Sequence, residues 1–420
     1  MSAGLLGRIL PVGERERVPV LFAIAYGFCI LFSYYVLRPV RDEISAADRG
    51  NLQVLWTAVF LVMLVAVPLY SAAVSRWSRA VFIPLANRFF AVNLLAFFAV
   101  LYSLPESARP WIDRVFYVWT SVFALFVVTV FWGLVTDLFR DEQGKRLFGF
   151  IALGSSLGGI AGSSTTALLA AHIPVFALLL IAVVPLEAAA WLARALHRRA
   201  ARDPDALRPE TEVRVGGSAW SGIGPVFRSP FLRQIALWLV LMTFASTILY
   251  FLQAHLVGES FADRGTRRVF LARLDLAVNT LTITTQGLLT AHILGRLGIG
   301  LTLALLPAIA GLGFLGLGTY PQLAVLALVR VLYDTGRHAL AKPAREVLFT
   351  LTSREERFKS KAFIDAAVYR GGDLMSGWIF AGLVALGLSA GAIALVAAPL
   401  AVVWGVIGLR LGQAEERAPK

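Results

Sequence analysis

The chain has 420 residues, 58% of them hydrophobic and 15% charged, with a mean hydropathy of +0.73 and a formal charge of +13. A soluble domain carries about 25% charged residues, so the composition excludes an ordinary water-soluble protein and points to a chain that crosses the bilayer many times as helices. The basic balance does not read as nucleic-acid binding, because membrane proteins concentrate Lys and Arg in cytoplasmic loops for topological reasons.

About twelve apolar segments follow one another, each near the ~20 residues that a bilayer core requires. They centre on Ala25, Leu61, Leu94, Phe126, Gly159, Pro185, Leu241, Thr280, Ala308, Val329, Leu374 and Pro399. The first, from Val18, is long enough to span and reads as a retained anchor, not a cleaved signal peptide. It contains the single cysteine, Cys29, so neither a disulfide framework nor a thiol metal site is expected. Between the sixth and seventh segments lies the one long polar stretch, which has Pro, Gly and charge but no apolar periodicity. From Arg194 to Arg233 it holds eight arginines against four acids. That excess marks it as cytoplasmic, as do "SRWSR", with Arg76 and Arg79, and "REERFKSK" before the eleventh segment. Both termini are therefore expected inside, in a multi-pass protein of the inner (cytoplasmic) membrane. A cysteine replacing Gly216 is expected to resist membrane-impermeant labelling from outside intact cells, and ready external labelling overturns that orientation.

The two halves of the sequence resemble each other. "SAAVSRWSRAVFIPLANRFFAV" and "LLTAHILGRLGIGLTLALLPAI" share one layout, apolar, a short basic turn, apolar, and "RDEQGKRLFGFIALGSS" parallels "SREERFKSKAFIDAAVY". Residues 1–196 then form one six-helix half, 197–232 a cytoplasmic linker, and 233–420 a second six-helix half. This predicts an all-α polytopic membrane protein of the major facilitator type, two six-helix halves around a midplane site.

Charges too deep for a lipid-facing surface mark that site, since a central Asp, Lys or Arg costs about 2.5–3.5 kcal/mol on insertion scales. Helical phase puts Tyr34, Arg38 and Arg41 on one stripe, next to Pro39, which strains the helix. Asp275, Asn279, Thr282, Gln286 and Thr290 form a polar stripe in segment eight. Arg330, Asp334, Arg337 and Arg345 share a face of segment ten, and segment three adds Arg88. Segment eleven begins with Lys361 and Asp365, then Arg370 beside two glycines. Arg38–Asp42 and Lys361–Asp365 fit equally well as i, i+4 pairs at a membrane boundary with snorkelling cations. Arg76, Arg79, Arg140 and Arg146 read as loop residues, and Trp56 and Trp132 as belt or packing residues. The sum is a central cavity with more cations than anions, and guanidinium forks suit phosphate or carboxylate. The only Gly-Lys pair, Gly144-Lys145, lacks the rest of a phosphate-binding loop, so ATP hydrolysis is not expected.

"YYVLRPVRDEI", Tyr34 to Ile44, resembles the first-segment motif of the ATP/ADP translocases of plastids and obligate intracellular bacteria. "FWGLVTDLF" is similar to that family's fourth-segment motif, "RLFGFIALGSSLGGIAG" to its fifth-segment start, and "KPAREVLF" and "KAFID" to its tenth- and eleventh-segment motifs. The broader bacterial members look most alike. The resemblance implies a nucleotide exchanger, with Arg41 in the place of a transport-critical lysine, Asp137 in that of a glutamate, and Lys361 in that of a lysine. In segment seven, where the family carries a glutamate followed closely by a lysine, this chain has Gln253 and His255.

The expected function is transport of an anionic, phosphate-bearing organic solute, by exchange and alternating access. The substrate-binding candidates are Arg38, Arg41, Arg88, Asp137, Asp275, Asn279, Gln286, Arg337, Arg345 and Lys361. Two rivals stay open. One is a proton-coupled carrier of another small anion or amphiphile, with Asp275, Asp334 and Asp365 as coupling groups. The other is a non-transporting membrane protein of the same fold. No enzyme activity, cofactor, metal or nucleic-acid partner is expected, and the chain is expected to act as a monomer in the lipid bilayer.

Overall fold

The computed structural model describes residues 13–105, 108–139, 141–203, 207, 223–352, 360, 363–364 and 368–417. Among them are twelve helices of 14 to 31 residues and no strand. In chain order they are α1 (Arg17–Ala47), α2 (Leu52–Arg76), α3 (Arg79–Ser103), α4 (Arg109–Leu138), α5 (Asp141–Leu169) and α6 (Val175–Arg202). After a short helix at Ile223–Arg228 come α7 (Pro230–Ser260), α8 (Arg264–Leu288), α9 (Thr290–Thr319), α10 (Leu323–Gly336), α11 (Tyr369–Ala385) and α12 (Ala390–Glu416). Each apolar centre read from the sequence lies in one of them. The central part of the polar linker, 208–222, lies outside the described residues.

Nine of these helices are long and apolar enough to cross a membrane. The three that are not are α8, α10 and α11. The last two have only 14 and 17 residues, and α8 carries Arg264, Arg267, Arg268, Arg273 and Asp275. Polarity thus sets α8 apart, and shortness sets α10 and α11 apart.

The chain packs into two compact units. Unit 1 comprises residues 1–44, 61–214 and 265–276; unit 2 comprises 45–60, 215–264 and 277–420. In unit 1, α3 lies along α6, and α5 lies against α1. The second contact depends on small residues one turn apart. A Cβ at Gly154, Gly158 or Gly162 would overlap the backbone carbonyl of Ile24, Phe28 or Phe32. Such stripes let membrane helices approach closely where no hydrophobic drive separates protein from lipid. Gly158→Leu is expected to push α5 from α1 and to lower the unfolding temperature and the monodisperse yield in detergent. Wild-type behaviour of that variant would contradict the packing.

Unit 2 repeats the order. Its α9 lies along α12, where Gly300 meets Gly412, and α11 lies against α7, where Gly372 and Gly377 face Thr243 and Phe251. The third helix pairs with the sixth and the first with the fifth in both sets. Its core is aromatic: Trp238 packs on Trp404, and Phe251 packs on Phe380 and Trp56. Trp56 is thus a packing residue of unit 2.

At the entry to α1, Glu16 accepts hydrogen bonds from Gln143 and Arg146 of α5 at 2.8 Å. Burial opposes charging of this carboxyl, but these donors and the Gly13 amide outweigh it and hold its pKa below the ordinary carboxylate value. A depressed carboxylate contributes stability above its unfolded pKa and loses it as pH falls through the folded one. Wild type is therefore expected to be more stable than Glu16→Gln at neutral pH, with the difference closing below about pH 4. A gap that stays constant in unfolding temperature across that range would contradict this.

Candidate functional site

The polar stripe of segment eight meets α10 where that helix breaks. Pro343 has no N–H to donate to the carbonyl of Ala339, and its ring crowds that carbonyl, so a regular helix cannot pass. The chain instead makes a π-turn at Arg337–Ala341, in which the Lys342 N–H bonds the Arg337 carbonyl, before a short helix, Lys342–Leu348. This frees the carbonyls of His338 and Ala339. Both are taken up by side chains of the segment-eight stripe: Gln286 Nε2 donates to His338 O at 3.2 Å and Thr290 Oγ1 to Ala339 O at 2.8 Å. Membrane helices tolerate such breaks only where neighbours satisfy the backbone. The π-turn also adds a residue to the helical count, so Arg345 leaves the face that straight phase assigned it. It is buried beside Glu346, at 3.4 Å.

Around the break lies a charged cluster in unit 2, built by α7, α10 and α11. Arg330 bonds Asp334 at 3.0 Å, one turn on, and both are buried. Arg330 Nε makes no hydrogen bond among the described residues. Arg337 lies 3.9 Å from Asp334, donates to Ser246 Oγ of α7 at 2.8 Å, and touches the His338 ring at 3.3 Å. Tyr333, fully buried, donates to the Met242 carbonyl and fixes α10 on α7. From α11, Asp373 stands 3.5 Å from the Thr247 hydroxyl and 3.8 Å from Arg370. Three guanidinium groups thus accompany two carboxylates.

A second ionic group belongs to unit 1. Arg38 of α1 bridges Asp275 of α8 at 3.1 Å and Asp42 at 3.7 Å, with its guanidinium 5.5 Å from the Tyr35 ring centre. Arg41 holds Asp42 at 2.7 Å and lies 5.9 Å from the Tyr117 ring centre, and Arg267 reaches Glu43 at 3.8 Å. The cluster of both signs closing the first segment is therefore a paired one, completed by α8.

Other residues singled out in the sequence take separate places. Arg88 clamps Glu187 of α6 through Nε at 3.1 and 2.9 Å and through a short contact of Nη2, and both side chains are substantially exposed. Asp137 pairs with Arg79 at the start of α3. Asn279 is half-buried on α8. Gln253 is buried in α7, and His255 Nδ1 lies 2.9 Å from the Phe251 carbonyl, with its ring on Phe380. Lys361, Asp365 and Arg140 lie outside the described residues. Sequence reading missed Glu187, Ser246 and Asp373. A lone acid inside an apolar run was the available signal for Glu187.

No protein-family model and no curated protein matches the chain. Solved structures do match its fold. A bacterial homolog to the human lysosomal transporter Spinster, in an inward-facing and unoccupied conformation, superposes with a TM-score of 0.60 at 13% identity, covering 97% of this chain and 99% of that one. The POT family transporter PepTSo gives 0.66 at 13% identity, with 96% and 99% covered. The nucleoside transporter NupG gives 0.57 at 12% identity, with 96% and 100% covered. The chain is an all-α polytopic membrane protein with the major facilitator type of fold. At such low identities the likeness concerns the fold, and the ATP/ADP translocase resemblance has no counterpart among these matches.

Proposed function

We propose that this protein is a membrane transporter that moves a small anionic organic solute by alternating access. The observation that carries the reading is the cluster of Arg330, Arg337 and Arg370 with Asp334 and Asp373 on α10, the π-turn after it and α11. Charges this deep in membrane helices normally face a wet pathway, and guanidinium forks select carboxylate or phosphate. Ser246 and the His338 ring hold the Arg337 fork in place. The fold's solved relatives are transporters, of peptides in one case and nucleosides in another.

A phosphate-bearing cargo, a nucleotide among them, agrees with the motifs that resemble those of ATP/ADP translocases. Uptake into proteoliposomes from a panel of labelled nucleotides, sugar phosphates, peptides and amino acids tests both levels. Uptake of an anionic member that depends on substrate inside the vesicle supports exchange. Transport confined to neutral or cationic solutes overturns the anion reading, and no uptake from the panel favours the non-transporting alternative.

A further inference from the structure

Asp373 differs from Asp42, Asp275 and Asp334 by how weakly it is held. Asp42, Asp275 and Asp334 each have a guanidinium nitrogen within 2.7 to 3.1 Å. Asp373 has the Thr247 hydroxyl at 3.5 Å, the outer limit of a hydrogen bond, and Arg370 at 3.8 Å. Its side chain is 14% exposed, against 40% for Arg370. The helix that carries it cannot drift closer to Thr247, because Gly372 is pressed against Thr243 of α7.

A carboxylate held in a membrane helix with weak partners is one that a proton can neutralise. We infer that Asp373 is a reversible proton site, and that its protonation leaves Arg370 without a counter-charge and open to an anionic cargo. The proton comes from water onto the Asp373 carboxylate, and no other covalent bond changes. This rests on the anion reading above and gives it a coupling. Proton and anion enter the cluster together with no net change of charge, so by linkage each raises the affinity for the other.

Among the described residues, the charged groups acting on Asp373 are Arg370 of its own helix and Arg337 of the π-turn, the latter 3.9 Å from Asp334. Tyr369 is the neighbouring phenol, and α7 presents Thr243 and Thr247. The ionisable groups of α12, Arg410, Glu415 and Glu416, are in its last two turns. The Ser45–Phe60 segment, whose ionisable groups are Asp48 and Arg49, meets α11 through Thr57 and Trp378. Nothing in that set clamps Asp373 as Arg330 clamps Asp334.

Infrared titration of the whole protein in nanodiscs, between about pH 5 and pH 8, tests the proton site without any cargo. Wild type is expected to gain a protonated-carboxyl C=O band on acidification that Asp373→Asn lacks. Coincident difference spectra overturn the proposal. Should Asp373→Asn fail to fold, Arg370→Gln serves: losing the cation should move the midpoint of that band to higher pH, and an unchanged midpoint overturns it. Equilibrium binding of inorganic sulfate, an oxyanion that does not titrate in this range, tests the coupling. Wild-type affinity is expected to rise about tenfold as pH falls through the midpoint, while Asp373→Asn binds independently of pH. A pH-independent wild type overturns the coupling. Absence of sulfate binding at every pH overturns the anion reading and the coupling with it, and the infrared titration still decides whether Asp373 takes a proton.

Discussion

Replacing Arg38 with alanine is expected to lower stability by about 3–5 kcal/mol, because it takes one member from a buried ion pair instead of a surface pair. Asp275 is 5% exposed and is bridged by Arg38 at 3.1 Å. Asp42 keeps Arg41 at 2.7 Å, so the loss falls chiefly on Asp275. The double variant Arg38→Ala/Asp275→Ala removes both charges and is expected to recover much of the stability. Chemical unfolding in detergent, with the two single variants and the double one, measures the coupling. Additive effects of the two substitutions would show that the pair is not an energetic unit. Equilibrium binding by the folded double variant then asks whether Arg38 also contacts cargo: wild-type affinity would confine Arg38 to the pair.

Replacing Arg337 with alanine is expected to weaken binding of a true anionic substrate by ten- to a hundredfold, since a contact to a charged group is worth roughly 1.5–3 kcal/mol. Arg337 is anchored at one fork arm by Ser246 and at the other by His338, a geometry an ammonium cannot reproduce. Arg337→Lys should therefore rescue only part of the loss. Full rescue by lysine would reduce the role to charge alone, and unchanged affinity in the purified, monodisperse alanine variant would remove Arg337 from the site. Ser246→Ala is expected to give a smaller loss in the same direction.

The helices were legible in the sequence because a bilayer demands a length of apolar chain, and that demand is written residue by residue. Phase was legible as long as the helix stayed regular, which is why Arg330 and Asp334 are found together at i, i+4. It failed beyond the π-turn, where one extra residue rotates the face by about 100° and separates Arg345 from Arg337. The Arg38–Asp275 pair joins positions hundreds of residues apart, and no periodicity encodes such a meeting. Glu187 was passed over as a single acid in an apolar run, although an isolated acid in a membrane helix is itself a sign of a partner or a role, and Asp373 was passed over one turn after Arg370.

The composition of the two units bears on how the gene can be cut. Residues 45–60, from the first half of the sequence, pack in unit 2, and residues 265–276, from the second half, pack in unit 1. Each half of the gene thus encodes a strand of polypeptide that the other product needs to be whole. Expressed alone, the N-terminal fragment would lack Asp275 for its Arg38, and the C-terminal fragment would lack Trp56 for its Phe251. Separation at the polar linker would therefore yield two mutually dependent fragments, to be produced in the same cell if either is to be recovered intact.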